Sequence, residues 1–273
     1  EAVWNRMTGK LRSLSRYVSR VQKNLWVFTP VGFPLVRGHE PLVAAVNDLL
    51  LSIQLGLVLR YLGFQSILFW VTSPLIRRTL LRMRKVSETI VYHAVDNFSL
   101  FPGINGEYLR REDEVINAAA DIAFFVNERF FEERLTICPV SVLLGHGVDL
   151  AHFASVGQMP IPKELENLPK PIVGHVGDLL GVDVVLVHKL ALDHPTVSFV
   201  FIGAVPDQSK LRLFPKNIYF FGRKPYCALP NYMGAMKCLC LLYNKDLPYN
   251  DYRNPIKLLE YLATGKPVVS TAI

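Results

Sequence analysis

The sequence predicts an α/β protein made of two tandem Rossmann-like units, each a parallel sheet flanked by helices. Three observations carry that expectation. Short apolar runs alternate with helical stretches along most of the chain, the alternation breaks once and restarts, and in its second half three successive strands end on glycine. Alternation of this kind lays strands side by side in parallel with helices on both faces, so the strands read as continuously apolar runs. The composition agrees: 273 residues, 51% of them hydrophobic, suit two domains with sizeable cores and exclude a disordered chain.

In chain order, Leu11, Leu14, Val18 and Val21 recur at helical spacing while Arg12, Arg16 and Arg20 form a second stripe, so 11–21 is expected to be an amphipathic basic helix. A strand follows at 25–29, then a helix at 43–62, a strand at 67–71 stopped by Thr72-Ser73-Pro74, and a basic helix at 75–84. A strand at 89–95, a helix at 110–120 and strands at 122–126 and 140–144 complete a first domain over residues 1–150. The apolar stretch 49–70 reads as a buried helix and a strand, not a membrane span. Gln54, Arg60 and Gln65 interrupt it, and Gly56 and Gly63 weaken it as one long helix. Residues 151–170, rich in proline and polar residues and without periodicity, read as a linker. The second domain, 171–273, restarts with a strand ending at Gly177 and a helix at 184–192. Strands ending at Gly203 and Gly222, a helix at 229–236, a strand at 237–243, a helix at 256–263 and a strand at 267–271 follow.

The net charge of +7 is localised. Residues 2–39 contain Arg6, Lys10, Arg12, Arg16, Arg20, Lys23 and Arg37 and no acid, and 77–85 adds a second basic run. With Trp4, Tyr17 and Trp26 nearby, a basic helix of this kind suits peripheral binding to an anionic membrane, against the plainer reading of a solvated face. No recognised motif accompanies the charge, so nucleic acid is not expected as a partner. The four cysteines form neither a CxxC pair nor a metal pattern, and reduced thiols in the cytoplasm are the simplest reading. Asn97-Phe98-Ser99 is then a chance match to the glycosylation sequon. The start of the chain shows no apolar core of a secretory signal.

The segment 254–270, NPIKLLEYLATGKPVVS, is the most informative. Asn254 is a favoured helix cap, Pro255 suits a first helical position, and Gly265 with Pro267 ends the helix. Lys257 and Glu260 share a face. A first-turn lysine opposes the helix dipole, and Lys-before-Glu is the poorer order for an ion pair. A diphosphate at the helix start would justify the lysine, because unpaired N–H groups and the dipole favour an anion there. Glu260, one turn on, could then accept from a ribose diol. A solvated surface pair is the plain alternative.

This stretch resembles the nucleotide-binding signature of GT-B glycosyltransferases, the large group whose retaining members act on lipids and cell-wall polymers. Other stretches are similar in register: VYHAVDNFSLFPG, EDEVINAAADIAFFVNERF, LLGHGVDLAHF, PIVGHVGDLLGVDVVLV, VSFVFIGAV and IYFFGRKPYCALPNYM. The resemblance runs from about residue 24 onward and is nearest to transferases of teichuronic-acid and exopolysaccharide biosynthesis. It implies two Rossmann-like domains with a donor cleft between them. The acceptor-side domain would lack its first strand, and the donor domain its last strand and helix. It also implies donor contacts at Gly177, Gly222, Arg223, Asn254, Pro255, Ile256, Lys257 and Glu260.

The sequence departs from the pattern in places. Tyr252, beside Asp251, stands where the first of two motif glutamates is usual. The loop Asp178-Leu179-Leu180-Gly181 carries none of the cations common after that strand. His146 and Asn127 replace an Asn and a Ser.

The implied function is transfer of a sugar from a nucleotide-diphosphate donor to a saccharide or lipid-linked acceptor of the cell envelope, on the cytoplasmic side of the membrane. No DxD or HExxH motif is present, so neither cofactor nor metal is expected, and catalysis would rest on positioning and on stabilising the departing diphosphate. His93 and Asp96, at the end of a first-domain strand, are candidates to face the acceptor; pinning a loop is their plainer role. A sugar epimerase of the same fold and an inactive nucleotide-sugar-binding remnant are the alternatives.

Overall fold

The computed structural model describes residues 17–33, 41–158, 160–204 and 214–272, and the chain forms two compact units, Glu1–Leu144 and Gly145–Ile273.

The first unit opens with an antiparallel hairpin, β1 (Val18–Gln22) and β2 (Leu25–Phe28), where a basic helix was expected. Residues 11–16 of that expected helix lie outside the described residues; 18–21 is strand. Of the four residues whose spacing suggested a helix, Leu11 and Leu14 lie outside the described residues, and Val18 and Val21 have a branched Cβ that favours a strand. Lys23-Asn24 makes the turn, and pairing across it sets Tyr17 edge-on to Phe28 and the Arg20 guanidinium 5.8 Å from the Trp26 ring. Arg20 also donates to Lys23 O at 2.6 Å, tying down the turn.

Next come α1 (Pro41–Tyr61), β3 (Leu68–Val71), α2 (Arg77–Met83), β4 (Thr89–Ala94), α3 (Gly106–Ala119), β5 (Ile122–Phe125), α4 (Glu128–Arg134) and β6 (Ser141–Leu143). The four later strands form one parallel sheet in the order β3-β4-β5-β6. Asn105 caps α3 and Asn127 caps α4, each accepting from the N–H three residues on, so Asn127 does the capping work of the serine it replaces. Behind the sheet, Tyr92 donates to the buried Asp113 carboxylate, which also receives Arg134 at 3.3 Å. Arg84 grips Asp121 with two bonds at 2.6 and 2.7 Å; together with the Ile90 amide these hold its carboxyl at about 2. Asn97, expected to be a chance sequon, is buried, with its side-chain oxygen taken by Ser99.

The expectation of a buried helix at 43–62 is overturned. α1 is long and apolar enough to cross a membrane, yet only 6% of its apolar window is buried. Leu42, Val46, Leu49, Ile53, Leu57 and Tyr61 face outward along one side, while Ser52 and Val58 turn inward and Thr79 of α2 bonds back to Asp48 O. The sequence reports apolarity but not which element covers it.

In the second unit α5 (Leu150–Ala154) and α6 (Lys163–Glu166) occupy the stretch expected to be a linker. Phe153 and Leu165 are wholly buried in this unit's core, so the segment is a packed strap rather than a tether. Each anchors through a single apolar residue, too few to show a period. Then follow β7 (Ile172–Val176), α7 (Val184–Asp193), β8 (Ser198–Ile202), β9 (Ile218–Phe220), α8 (Leu229–Ala235), β10 (Cys238–Leu241), α9 (Ile256–Ala263) and β11 (Val268–Ser270). The sheet is parallel in the order β11-β10-β7-β8-β9, so chain direction across it reverses between β7 and β10. The four cysteines are unpaired thiols, and burial pushes that of Cys240 up to about 12.

Candidate functional site at the strand ends of the second unit

In a doubly wound sheet, ligands settle at the carboxyl ends of the strands where the strand order reverses. Here that point lies between β7 and β10, and the two strands part there. Their paired register covers Cys238↔Val173 and Leu239↔Gly174 only. Beyond it side chains replace the ladder. His175 Nδ1 meets Cys240 O at 3.0 Å, and the Tyr261 hydroxyl accepts from Val176 N at 2.7 Å and donates to Val176 O at 2.9 Å. Burial, helped by the nearby Lys257 charge, lowers His175 to about 4, so its neutral ring donates through Nδ1.

The three glycine-ended strands finish level. Gly177 N donates to Ile202 O at 2.6 Å and Gly203 N donates to Gly222 O at 3.0 Å. Gly177 has φ +145°, and a Cβ there would collide with Lys257 Cε and lie 2.5 Å from its Nζ. Only glycine lets the lysine cross the strand end.

Tyr261 sits on α9, so its two bonds to Val176 fix that helix against β7 and bring Lys257 and Glu260 to the crevice. Asn254 is not the cap expected from the sequence. Pro255 takes that place with ψ 115°, the helix starts at Ile256, and it carries no side-chain cap. Pro255 cannot donate and stays extended, which moves the helix start one residue on. Its first-turn N–H groups are thus left uncapped by side chains. Burial lowers the Lys257 pKa, and the neighbouring Arg253 charge adds to that. Burial raises the Glu260 carboxyl, which is 9% exposed. Among the described residues neither Lys257 nor Glu260 joins an ion pair or hydrogen bond through its side chain. Two desolvated charges with no ion pair or hydrogen bond among the described residues are costly unless a ligand supplies one.

Of the other expected residues, Ile256 is exposed at the start of α9, and Asn254 comes near the turn at Gly145, whose Cβ would lie 3.8 Å from its Nδ2. Gly222 has φ +66° and open space beside it. Arg223 is spent on a neighbour: its Nη2 bonds Asp178 Oδ2 at 2.7 Å. Desolvation works to raise Asp178, but the Ala204 amide and Arg223 overcome it and hold the carboxyl below its usual range. His93 and Asp96 belong to the first unit. The Trp70 indole donates to His93 Nδ1 at 3.4 Å and stacks on Phe124, so the imidazole is held by an aromatic cluster at the end of β4.

Sequence reading missed two groups at the crevice. His152 stacks on Tyr226, ring centroids 4.6 Å apart, close enough to Glu260 to act on its charge. The Arg253 guanidinium lies over the Tyr243 ring and the Tyr249 ring, 4.9 and 5.0 Å from their centroids. Two tyrosines, at 243 and 249, shortly before an arginine were the available signal for the second.

No family model matches the chain. It is 31% identical over 133 residues to TuaH of Bacillus subtilis (strain 168), a glycosyltransferase by name, of teichuronic acid biosynthesis; the match covers 46% of this chain and 33% of that protein. The chain therefore spans about a third of this curated relative. Sucrose-phosphate synthase from Thermosynechococcus elongatus superposes on 94% of the chain, and on 68% of its own length, with a TM-score of 0.70 at 14% identity. The chain has the GT-B glycosyltransferase fold. A second GT-B structure, HepE of Anabaena in complex with UDP and glucose, matches 80% of this chain and 62% of its own, with a TM-score of 0.56 at 17% identity.

Proposed function

We propose that the protein transfers a sugar from a nucleotide-diphosphate donor to a saccharide or lipid-linked acceptor in cell-envelope polysaccharide biosynthesis. The observation that carries the reading is the pair Lys257 and Glu260, unpartnered among the described residues and set by Tyr261 at the parting of β7 and β10. The GT-B fold, the likeness to TuaH and the UDP bound by HepE support it.

In this reading the diphosphate lies over Gly177 at the start of α9. Lys257 and the uncapped N–H groups meet its charge, and Glu260 accepts from the ribose hydroxyls. Gly222, Arg223, Asn254, Pro255 and Ile256 border the donor, and His93 and Asp96 serve the acceptor. As the glycosidic bond to the donor breaks, negative charge grows on the diphosphate. Groups already aimed there lower the barrier without reorganising. The proposal includes departure of the diphosphate without a metal, which unchanged turnover in a chelator would support.

We also place the protein at the inner face of the membrane. The outward apolar side of α1 carries that contact, together with Arg78 and Arg82 of α2, which lie close enough to Asp48 of α1 to act on its charge. Apolar area combined with cations suits an anionic bilayer surface. Cosedimentation with vesicles containing anionic lipid tests it; equal recovery of protein and of a Leu49→Ser/Ile53→Ser/Leu57→Ser variant would sink it.

Calorimetric titration of the chain with UDP-, GDP- and ADP-sugars tests the donor site. Binding of one, lost in Glu260→Ala, is expected. Binding of none, or equal binding by the variant, removes the assignment.

A further inference from the structure

A cavity of about 650 Å³ opens in the first unit, walled by Gly56, Leu59 and Arg60 of α1 and by Met83, Lys85 and Glu88 from the end of α2 to the start of β4. That volume suits a small molecule or a lipid headgroup. Ile67 and Glu88, both on the wall, immediately precede β3 and β4, so the cavity lies at the amino end of the sheet. His93 stands near the carboxyl end of β4, about 17 Å further on at ~3.3 Å per residue. A group held in the cavity is too far from His93 to react beside it, so the cavity can anchor a ligand but not transform it there.

The cations on its wall are uncommitted. Arg84, next to Lys85, is spent on Asp121. Among the described residues neither Arg60 nor Lys85 makes an ion pair or a hydrogen bond through its side chain, and both are exposed at the rim. The acid on the wall, Glu88, accepts from Ser66 Oγ at 2.8 Å. The turn that ends α1 closes on itself: Gly63, at φ +71°, donates to Arg60 O at 3.2 Å, and Phe64 N donates to Leu59 O at 3.0 Å. An anion entering here meets two cations, and these two carbonyls are already covered.

The outward apolar side of α1 runs into the same place. Ile53, Gly56 and Arg60 follow one another at helical spacing, and Leu57 and Tyr61 form the adjoining row, with Ile53, Leu57 and Tyr61 all exposed. An apolar strip thus leads to a cavity rimmed by cations. A soluble phosphate would use the cations alone; a lipid uses both.

We propose that this cavity takes the phosphate headgroup of one anionic phospholipid, held by Arg60 and Lys85, with its acyl chains along Ile53 and Leu57. The inference rests on the reading that α1 lies against a membrane. It adds a single built site, where that reading needs only a general attraction of charge and apolar area.

Binding of the whole chain to vesicles of phosphatidylcholine, with and without phosphatidylglycerol, tests this. Each cation near an anionic surface adds about fivefold wherever it stands, so removing charge is not enough. Gly56→Leu keeps every charge. A Cβ there meets nothing within 4 Å, and leucine favours the helix, fills the cavity and adds apolar area to α1. The variant is expected to bind phosphatidylglycerol vesicles about tenfold more weakly than wild type, and phosphatidylcholine vesicles no less. General attraction predicts the reverse, and equal or tighter binding overturns the proposal. Arg60→Gln/Lys85→Gln should lose more than Arg78→Gln/Arg82→Gln, which removes the same charge outside the cavity; equal losses also overturn it. Calorimetry of wild type with short-chain phosphatidylglycerol below its micelle concentration keeps the test open if Gly56→Leu does not fold. Saturable one-to-one binding is expected, with glycerol phosphate about tenfold weaker or more; equal affinity for glycerol phosphate would make this a site for soluble phosphate and strike the lipid. If wild type binds no vesicles, the membrane reading fails and this proposal with it. If all variants bind phosphatidylglycerol vesicles alike, the membrane reading stands without the cavity.

Discussion

Tyr261→Phe isolates the contact on which the site depends. The hydroxyl is fully buried and satisfies both main-chain groups of Val176, at 2.7 and 2.9 Å, where β10 has already diverged from β7. Phenylalanine keeps the ring and its packing and removes only the oxygen. It strands one buried N–H and one buried C=O, each costing about 1–3 kcal/mol, the carbonyl toward the lower end. The expected loss is about 2–4 kcal/mol, a large part of the stability of a domain of this size. Urea unfolding followed by far-UV circular dichroism measures it as a lower midpoint with unchanged slope. UDP affinity should weaken as well, because α9 carries Lys257 and Glu260. A stability loss below about 0.5 kcal/mol would refute the reasoning, since it would mean that water or a relaxed β10 satisfies Val176.

Three further outcomes are expected. His175 is held neutral at about 4, below its ordinary value near 6.5. Its contribution is complete above pH 6.5 and is lost as the pH falls toward 4, about 3 kcal/mol in all; urea midpoints across that range should fall in wild type and stay flatter in His175→Gln. Glu260 has a raised pKa from burial, so its contribution is present at low pH and is lost as the pH rises through the raised value. Glu260→Gln should therefore melt higher than wild type at pH 7 but not at pH 4, while binding UDP more weakly; a lower melting point at pH 7 contradicts the assignment. Gly177→Ala forces a Cβ onto Lys257 at φ +145° and should cost about 1–3 kcal/mol together with most UDP affinity; intact UDP binding would show that Lys257 works from elsewhere.

The strand-and-helix alternation, the glycine ends and the short helix of residues 254–270 were legible because each rests on local chemistry: apolar runs, a tight turn, a proline start. What failed depended on partners distant in sequence. Val18 and Val21 fit a helical period by spacing alone, while pairing with Leu25–Phe28 decides for strand. α1 is apolar enough to be buried, but burial needs a neighbour, and its outer side has none among the described residues. Phe153 and Leu165 each anchor alone, so a packed strap read as a linker. Arg253 escaped notice because the sequence led attention to the loop at 178–181, and the guanidinium that reaches this loop comes from elsewhere in the chain.

The level finish of Gly177, Gly203 and Gly222 has a consequence for how such a surface changes over time. Along that rim the chain offers main-chain amides and carbonyls and no side chain, so substitution elsewhere leaves its hydrogen-bonding pattern untouched. A rim made of backbone keeps its shape while the residues around it turn over. Any choice among ligands would then fall to the few side chains that lean over the rim, Lys257 among them.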